Sequence, residues 1–204
     1  MIKNIIIGII FIIIVVSEIF VLNSNFSLKY ELNNQNQYLE NITTNLNIYQ
    51  NQFVENINNS NCYIDTKLVI KDTANCELKL SDIIHDNFLL IRYSDKYCEQ
   101  CVNHAISVLL DNKECFDFSK IIFLGDFDSK RNFKICNHIY NIIDYQIYNS
   151  SELNIPADKL LFPYYIIVDK NLHVLSIYLP NKSTHGTDFD FKNLKYMYDS
   201  LIQK

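Results

Sequence analysis

The chain has 204 residues, a formal net charge of −5 and six cysteines. It holds no block of Lys or Arg able to meet a line of phosphates, which argues against nucleic acid as a partner. Setting aside an apolar N-terminal run and an Asn-rich stretch leaves roughly 140 residues, enough for one domain with a core of its own.

Ile5 to Val16 is unbroken and apolar, with Lys3 ahead of it; after Ser17 and Glu18 the run resumes through Ile19 to Leu22. Together these reach the roughly 20 residues that a bilayer-spanning helix needs. No small-x-small cleavage signal follows, so residues 1–22 read as a transmembrane anchor in preference to a removed signal segment. A basic flank is retained in the cytoplasm, which predicts that the rest of the chain lies on the far side of the membrane. Residues 23–61 are crowded with Asn and Gln and contain neither Gly nor Pro. Leu39, Ile42, Leu46, Tyr49 and Phe53 recur at steps of three and four, with Leu32 seven residues back, a short heptad stripe. This predicts a stalk, either helical and able to pair two copies of the chain or, because Asn is a poor helix former, loosely ordered.

From Lys67 onward, apolar runs of strand length alternate with helical ones, which predicts an α/β domain over residues 62–204. Lys67 to Ile70 and Cys76 to Leu80 read as leading strands, and Phe88 to Tyr93 as the first buried one. Cys98-Glu99-Gln100-Cys101 follows, opening an amphipathic helix to about Asn112 whose inward stripe is Val102, Ala105, Ile106 and Leu109. Two cysteines so spaced at a strand-to-helix turn can bond to each other. The helix N-terminus favours thiolate on the first, the species that attacks disulfides. Cys98 is the expected nucleophile and Cys101 the resolving thiol. Cys98-x-x-Cys101-x-x-His104 could in principle hold a metal. His104 falls off the inward stripe, however, and reads as a solvated histidine, so no metal is expected.

Lys120 to Leu124 reads as the next strand, Gly125-Asp126 as a turn, Lys130 to Tyr140 as a helix, and Tyr145 to Tyr148 as a short extended piece ahead of Pro156. Tyr164 to Val168, the turn Asp169-Lys170-Asn171 and Leu172 to Tyr178 form a predicted hairpin, and Phe189 to Gln203 a closing helix. Among the remaining cysteines, Cys62 and Cys76 are close in sequence and are the favoured bridge.

The run Phe88-Leu-Leu-Ile-Arg-Tyr-Ser-Asp-Lys-Tyr-Cys-Glu-Gln-Cys101, with Phe162-Pro163 ahead of the strand Tyr164 to Val168, resembles thioredoxin-fold proteins. More narrowly, it resembles the membrane-anchored thiol-disulfide oxidoreductases of bacterial envelopes, the TlpA/ResA-like group. The resemblance covers about Lys67 to Lys204. It implies a thioredoxin-like central sheet flanked by helices, a substrate groove at Tyr97, Phe162 and Pro163, a cis bond before Pro163, and no cofactor. The implied partners are protein disulfides and a protein that donates or accepts electrons. The implied location is the bacterial inner membrane, single-pass, with the domain in the periplasm or extracytoplasmic space. The helix after Cys101 and the one carrying Cys136 are implied to pack on opposite sheet faces, which argues against a bridge between Cys115 and Cys136.

Three departures bear on function. Tyr97 stands where the family usually has Trp, Glu99-Gln100 where it has Gly-Pro or a similar neutral pair, and Arg92 where thioredoxin carries a buried acid that moves protons. Glu99 opposes thiolate on Cys98, which fits a reductant with a mildly acidic thiol. Arg92 is expected either to face solvent or to pair with a carboxylate. The expected function is an envelope thiol-disulfide oxidoreductase that reduces disulfides of exported proteins. The alternative is a tethered, non-catalytic thioredoxin-fold adaptor with Cys98 and Cys101 as a structural bridge. A peroxidase is set aside, because Asp95 rather than Thr or Ser stands three before Cys98 and no Pro stands seven before.

Overall fold

A computed structural model describes the backbone of residues 2–181 and 186–202 and the side chains of residues 14–181 and 188–202. The first element is one long helix, α1 (Ile2–Asn59). Residues 9–59 contain no Gly or Pro to break it. The anchor predicted over residues 1–22 falls in part outside the described side chains; among the described residues no helix is long and apolar enough to cross a membrane. The stripe residues Leu32, Leu39, Ile42, Leu46 and Phe53 are all exposed. The chain forms two compact units, Met1–Tyr49 and Gln50–Lys204.

The second unit is built on a mixed sheet of strands β1 (Val69–Lys71), β2 (Glu77–Lys79), β3 (Phe88–Ser94), β4 (Ile121–Asp126), β5 (Ile147–Asn149), β6 (Tyr164–Val168) and β7 (Val174–Tyr178). Their order is β2-β1-β5-β4-β3-β6-β7. Helices α2 (Glu99–Leu110), α3 (Lys130–Ile139) and α4 (Gly186–Leu201) complete it. Strands β3, β4 and β5 are parallel neighbours, whereas β6 and β7 pair antiparallel beyond β3. Because β3 to β4 and β4 to β5 both step the same way across the sheet, right-handed crossovers carry α2 and α3 to one face. There they pack with α4 on Leu89, Ile91 and Tyr93. The opposite face holds Phe88, Leu90, Ile122, Leu124 and Ile166, covered by Ile64, Leu80, Ile84, Leu153, Ile155 and Ala157. Burial on both faces accounts for the unbroken apolar runs of β3, β4 and β6.

Within the second unit, the last turns of α1 dock through amide side chains and not through apolar ones. Gln52 accepts from Leu179 N at 2.9 Å and donates to Ile177 O, while Asn56 Oδ1 accepts from Ile177 N at 2.9 Å. Asn59 Oδ1 accepts from Ala157 N at 3.0 Å. Gln52 and Asn56 thereby satisfy backbone groups on the outer side of edge strand β7, which would otherwise offer a template for pairing. Gly125, expected in a turn, instead lies inside β4, where a Cβ would come within 2.8 Å of the Phe127 ring. The strand can close on that ring only with glycine here.

Burial is the leading cause raising the phenols of Tyr93, Tyr97, Tyr148, Tyr164, Tyr165 and Tyr198 above their ordinary value, and it pushes Tyr140 up to about 12. A group whose folded pKa exceeds its unfolded value stabilises fully below the latter and loses that contribution as pH rises toward the former. We expect the melting temperature to fall from about pH 10, where unfolded tyrosines ionise, toward about pH 12, with the tyrosinate absorbance of the buried phenols appearing together with unfolding and after that of the exposed Tyr30, Tyr38, Tyr63 and Tyr196. A melting temperature that does not change between about pH 10 and about pH 12 would contradict this.

Candidate active site

Strand β3 ends at Ser94, and a short turn places Cys98 at the N-cap of α2. Cys101 N and Val102 N both donate to Cys98 O, at 2.9 and 3.0 Å, so the helix is wound tightly from Cys98 onward. Cys98 is exposed, and Cys101, one turn in, is half-buried. The unequal exposure suits an outer attacking sulfur and an inner resolving one. Glu99 and Gln100 between them are both exposed.

Tyr97 does not face solvent. It is buried, and burial pushes its phenol up, opposed by Arg92 and reinforced by Asp158 and Asp126. Arg92, for which solvent or a carboxylate was expected, is fully buried and takes the second course. Its Nη1 donates to Gly125 O at 3.0 Å and Ser150 Oγ at 2.8 Å, and its Nη2 to Ser151 O at 2.9 Å. Asp126 and Asp158 each stand 3.7 Å from the guanidinium. Asp158, almost wholly buried, also accepts from Tyr164 OH at 2.7 Å and Leu153 N at 2.6 Å. A positive charge beside Tyr97 is thus tied into two carboxylates and three chain segments.

His104 corrects a second expectation. It does lie off the helix's most apolar stripe, yet its side chain is only 12% exposed because α4 packs beside it. Its Nε2 lies 2.5 Å from Asp190 Oδ2. Asp190 is fully buried and also accepts from Tyr178 OH at 2.5 Å and Asn181 N at 2.9 Å. Among the described residues no three His, Cys, Asp or Glu side chains converge to hold an ion.

The expected groove residues are brought to the same end of the sheet. Arg92 pairs with Tyr164, so Pro163 and Phe162 lie level with the end of β3 that leads into Cys98. Pro163 is buried, and Phe162 is half-buried. The bond before Pro163 is trans, against the expectation of cis. The physical reason is that the reversal is made two residues earlier: Leu161 takes a left-handed conformation, φ 50° and ψ 39°, and is 64% exposed. On the other side of the site a polar cleft of about 990 Å³ opens past the ends of β4 and β5, lined by Lys71, Lys96, Asp126, Asp128, Lys130 and Asn149 among others. Tyr97, Phe162 and Pro163 do not line it.

The remaining cysteines are unbridged thiols. The favoured Cys62–Cys76 pair is split across the sheet: Cys62 O accepts from Val174 N at the β7 edge, whereas Cys76 lies in the turn between β1 and β2 at the other edge. Cys115 and Cys136, expected on opposite faces, pack against the same core cluster, since both crossovers run the same way. Burial, then Asp95 and Glu99, pushes the Cys136 thiol up.

No protein-family model matches the sequence, and no curated protein is significantly similar to it. Among solved structures, a candidate electron transfer protein of Aquifex aeolicus VF5 superposes with a TM-score of 0.50 at 10% identity, over 70% of this chain and 96% of that one. A candidate electron transport protein of the same organism gives 0.51 at 9% identity, over 71% and 99%. A thiol:disulfide interchange protein from Bacteroides sp. gives 0.49 at 14% identity, over 67% and 86%. At these identities the likeness is one of fold. That fold is thioredoxin-like, with a parallel βαβ unit, an antiparallel hairpin alongside it and a closing helix.

Proposed function

We propose that this protein is a thiol-disulfide oxidoreductase that reduces disulfides of exported proteins through Cys98 and Cys101. The observation that carries the reading is the exposed Cys98 at the N-cap of α2 with the half-buried Cys101 one turn behind it. Glu99 beside the nucleophile works against thiolate and so against a strongly oxidising pair. The exposed end of the sheet beside Cys98, with Leu160, Leu161 and Phe162, offers the substrate chain an apolar contact.

In this reading the domain is extracytoplasmic and anchored by the N-terminal helix, as Lys3 and the run Ile5 to Val16 support. The exposed heptad stripe on α1 supports pairing of two copies through the stalk.

The test is the reduction potential of the Cys98/Cys101 pair, measured by equilibration with glutathione and dithiothreitol and read by mass after alkylation. We expect a reversible two-electron couple on the reducing side of a protein disulfide isomerase, near or below about −200 mV. Two thiols that never form a disulfide, or a disulfide that dithiothreitol does not open, would refute the enzyme and favour the tethered adaptor.

A further inference from the structure

We propose that Asn59, the last residue of α1, is a positioning residue that sets where the chain beside Cys98 meets a protein substrate, an inference that rests on the thiol-disulfide reading above. Asn59 is polar yet fully buried. Its Nδ2 donates to Glu55 O at 2.8 Å and Glu55 Oε2 at 3.3 Å, which holds the amide on its own helix and leaves Oδ1 for a partner. That oxygen accepts from Ala157 N at 3.0 Å, across 98 residues of chain. Ala157 N is an N–H that the 3-10 helix Pro156–Leu160 leaves over at its start. Pro156 has no N–H, Asp158 N donates to Ile155 O at 3.1 Å, and Ile155 at the cap position has no side-chain acceptor. Ala157 is itself fully buried, so water does not reach its N–H. Asn59 supplies the missing cap from another helix.

The helix so capped leads directly into the edge beside the cysteines. Asp158, next after Ala157, accepts from Leu153 N at 2.6 Å and from Tyr164 OH at 2.7 Å. The bond to Tyr164 pins both ends of the short segment from Lys159 to Pro163, which carries the exposed Leu160 and Leu161. Leu161 sits in the left-handed region, φ 50° and ψ 39°, a conformation that persists in a non-glycine residue only where its surroundings impose it. Tyr164 pairs with Arg92, so the segment opens onto the end of β3 that leads to Cys98. Without Asn59, Ala157 N is buried and unpaired, the 3-10 helix moves to satisfy it, and the Leu160–Leu161 edge moves with the helix. Cys98 and Cys101 stand on α2 and keep their own frame.

The test uses the pre-reduced full chain in detergent and two oxidants. One is insulin, whose disulfides lie in a protein chain; the other is hydroxyethyl disulfide, which has no chain to lie along the Leu160–Leu161 edge. Oxidation of the Cys98/Cys101 pair is read by alkylation and mass. For Asn59→Ala we expect the second-order rate with insulin to fall at least about 5-fold, while the rate with hydroxyethyl disulfide stays within about 2-fold. Asn59→Asp combined with Glu55→Gln, which keeps an acceptor facing Ala157 N, is expected to hold the insulin rate within about 2-fold of the unsubstituted chain. Two rates that fall together, two that stay unchanged, or an insulin rate that the acceptor-retaining chain fails to restore would each overturn the proposal. Should Asn59→Ala lack a cooperative melting transition, Asn59→Ser takes its place under the same criteria. An unsubstituted chain that neither oxidant oxidises refutes the thiol-disulfide reading and this inference with it, whereas an active one that Asn59→Ala leaves unchanged removes only the role of Asn59.

Discussion

Replacing Cys98 with serine is expected to bring disulfide reduction down to the rate of uncatalysed exchange, whereas replacing Cys101 with serine traps a mixed disulfide through Cys98. The asymmetry follows from position. Cys98 is exposed at the N-cap of α2, where unsatisfied backbone N–H groups and the helix dipole favour the anion, and Cys101 is half-buried one turn later. In the Cys101→Ser chain the attack on substrate proceeds, but no internal thiol remains to release the product. Non-reducing gels after acid quench should show a band that a reductant removes, and peptide mapping should place the junction at Cys98. Equal trapping by the two single variants would defeat the assignment of roles, because it would mean that either sulfur can attack.

Replacing Arg92 with methionine should be the most destabilising single change in the second unit. The guanidinium is fully buried, donates to Gly125 O, Ser150 Oγ and Ser151 O, and stands 3.7 Å from both Asp126 and Asp158. Removing it leaves a nearly buried carboxylate at Asp158 without its counter-charge, whereas Gly125 O keeps Ser150 N and Ser151 O keeps Ser150 Oγ as donors. Breaking a buried pair from one side typically costs about 3–5 kcal/mol. Urea denaturation should show a loss of that order. Adding Asp158→Asn to the variant should return at least about 1 kcal/mol, because the orphaned charge is then gone. A loss below about 1 kcal/mol for Arg92→Met would show that the cluster is effectively solvated and that Arg92 does not organise the end of β3.

Much of this architecture is legible in the residues themselves. Period-two and unbroken apolar runs located each strand to within a few residues, since a strand buried on both faces has few other ways to be written. The pair Cys98 and Cys101 was legible for a similar reason: its spacing and its place after a buried strand are local properties of the chain. What local pattern could not carry is which distant segment meets each polar side chain. Arg92 was ambiguous until β4, Ser150 and Ser151 just past β5, and the 3-10 helix Pro156–Leu160 converged on it with their carbonyls, hydroxyl and carboxylates. His104 looked solvated because helical periodicity knows only the face of α2; Asp190, 86 residues away, arrives through the packing of α4.

The same division explains the expectations that failed. The bond before Pro163 is trans where cis was expected, and the left-handed step between the 3-10 helix and β6 falls at Leu161, set by the tertiary path of the chain there. The separation of Cys62 from Cys76 depends on which sheet edge each segment joins, and the shared face of Cys115 and Cys136 on the direction of two crossovers. The sequence by itself determined the α/β class, the positions of nearly all elements and the place of Cys98 and Cys101 at the start of α2, because hydrophobic burial and helix-terminus chemistry act between near neighbours. Only the tertiary structure decided the charge cluster under Tyr97 and the His104–Asp190 contact. A polar group leaves water only where partners from distant segments meet it, and such meetings leave no periodic trace along the chain.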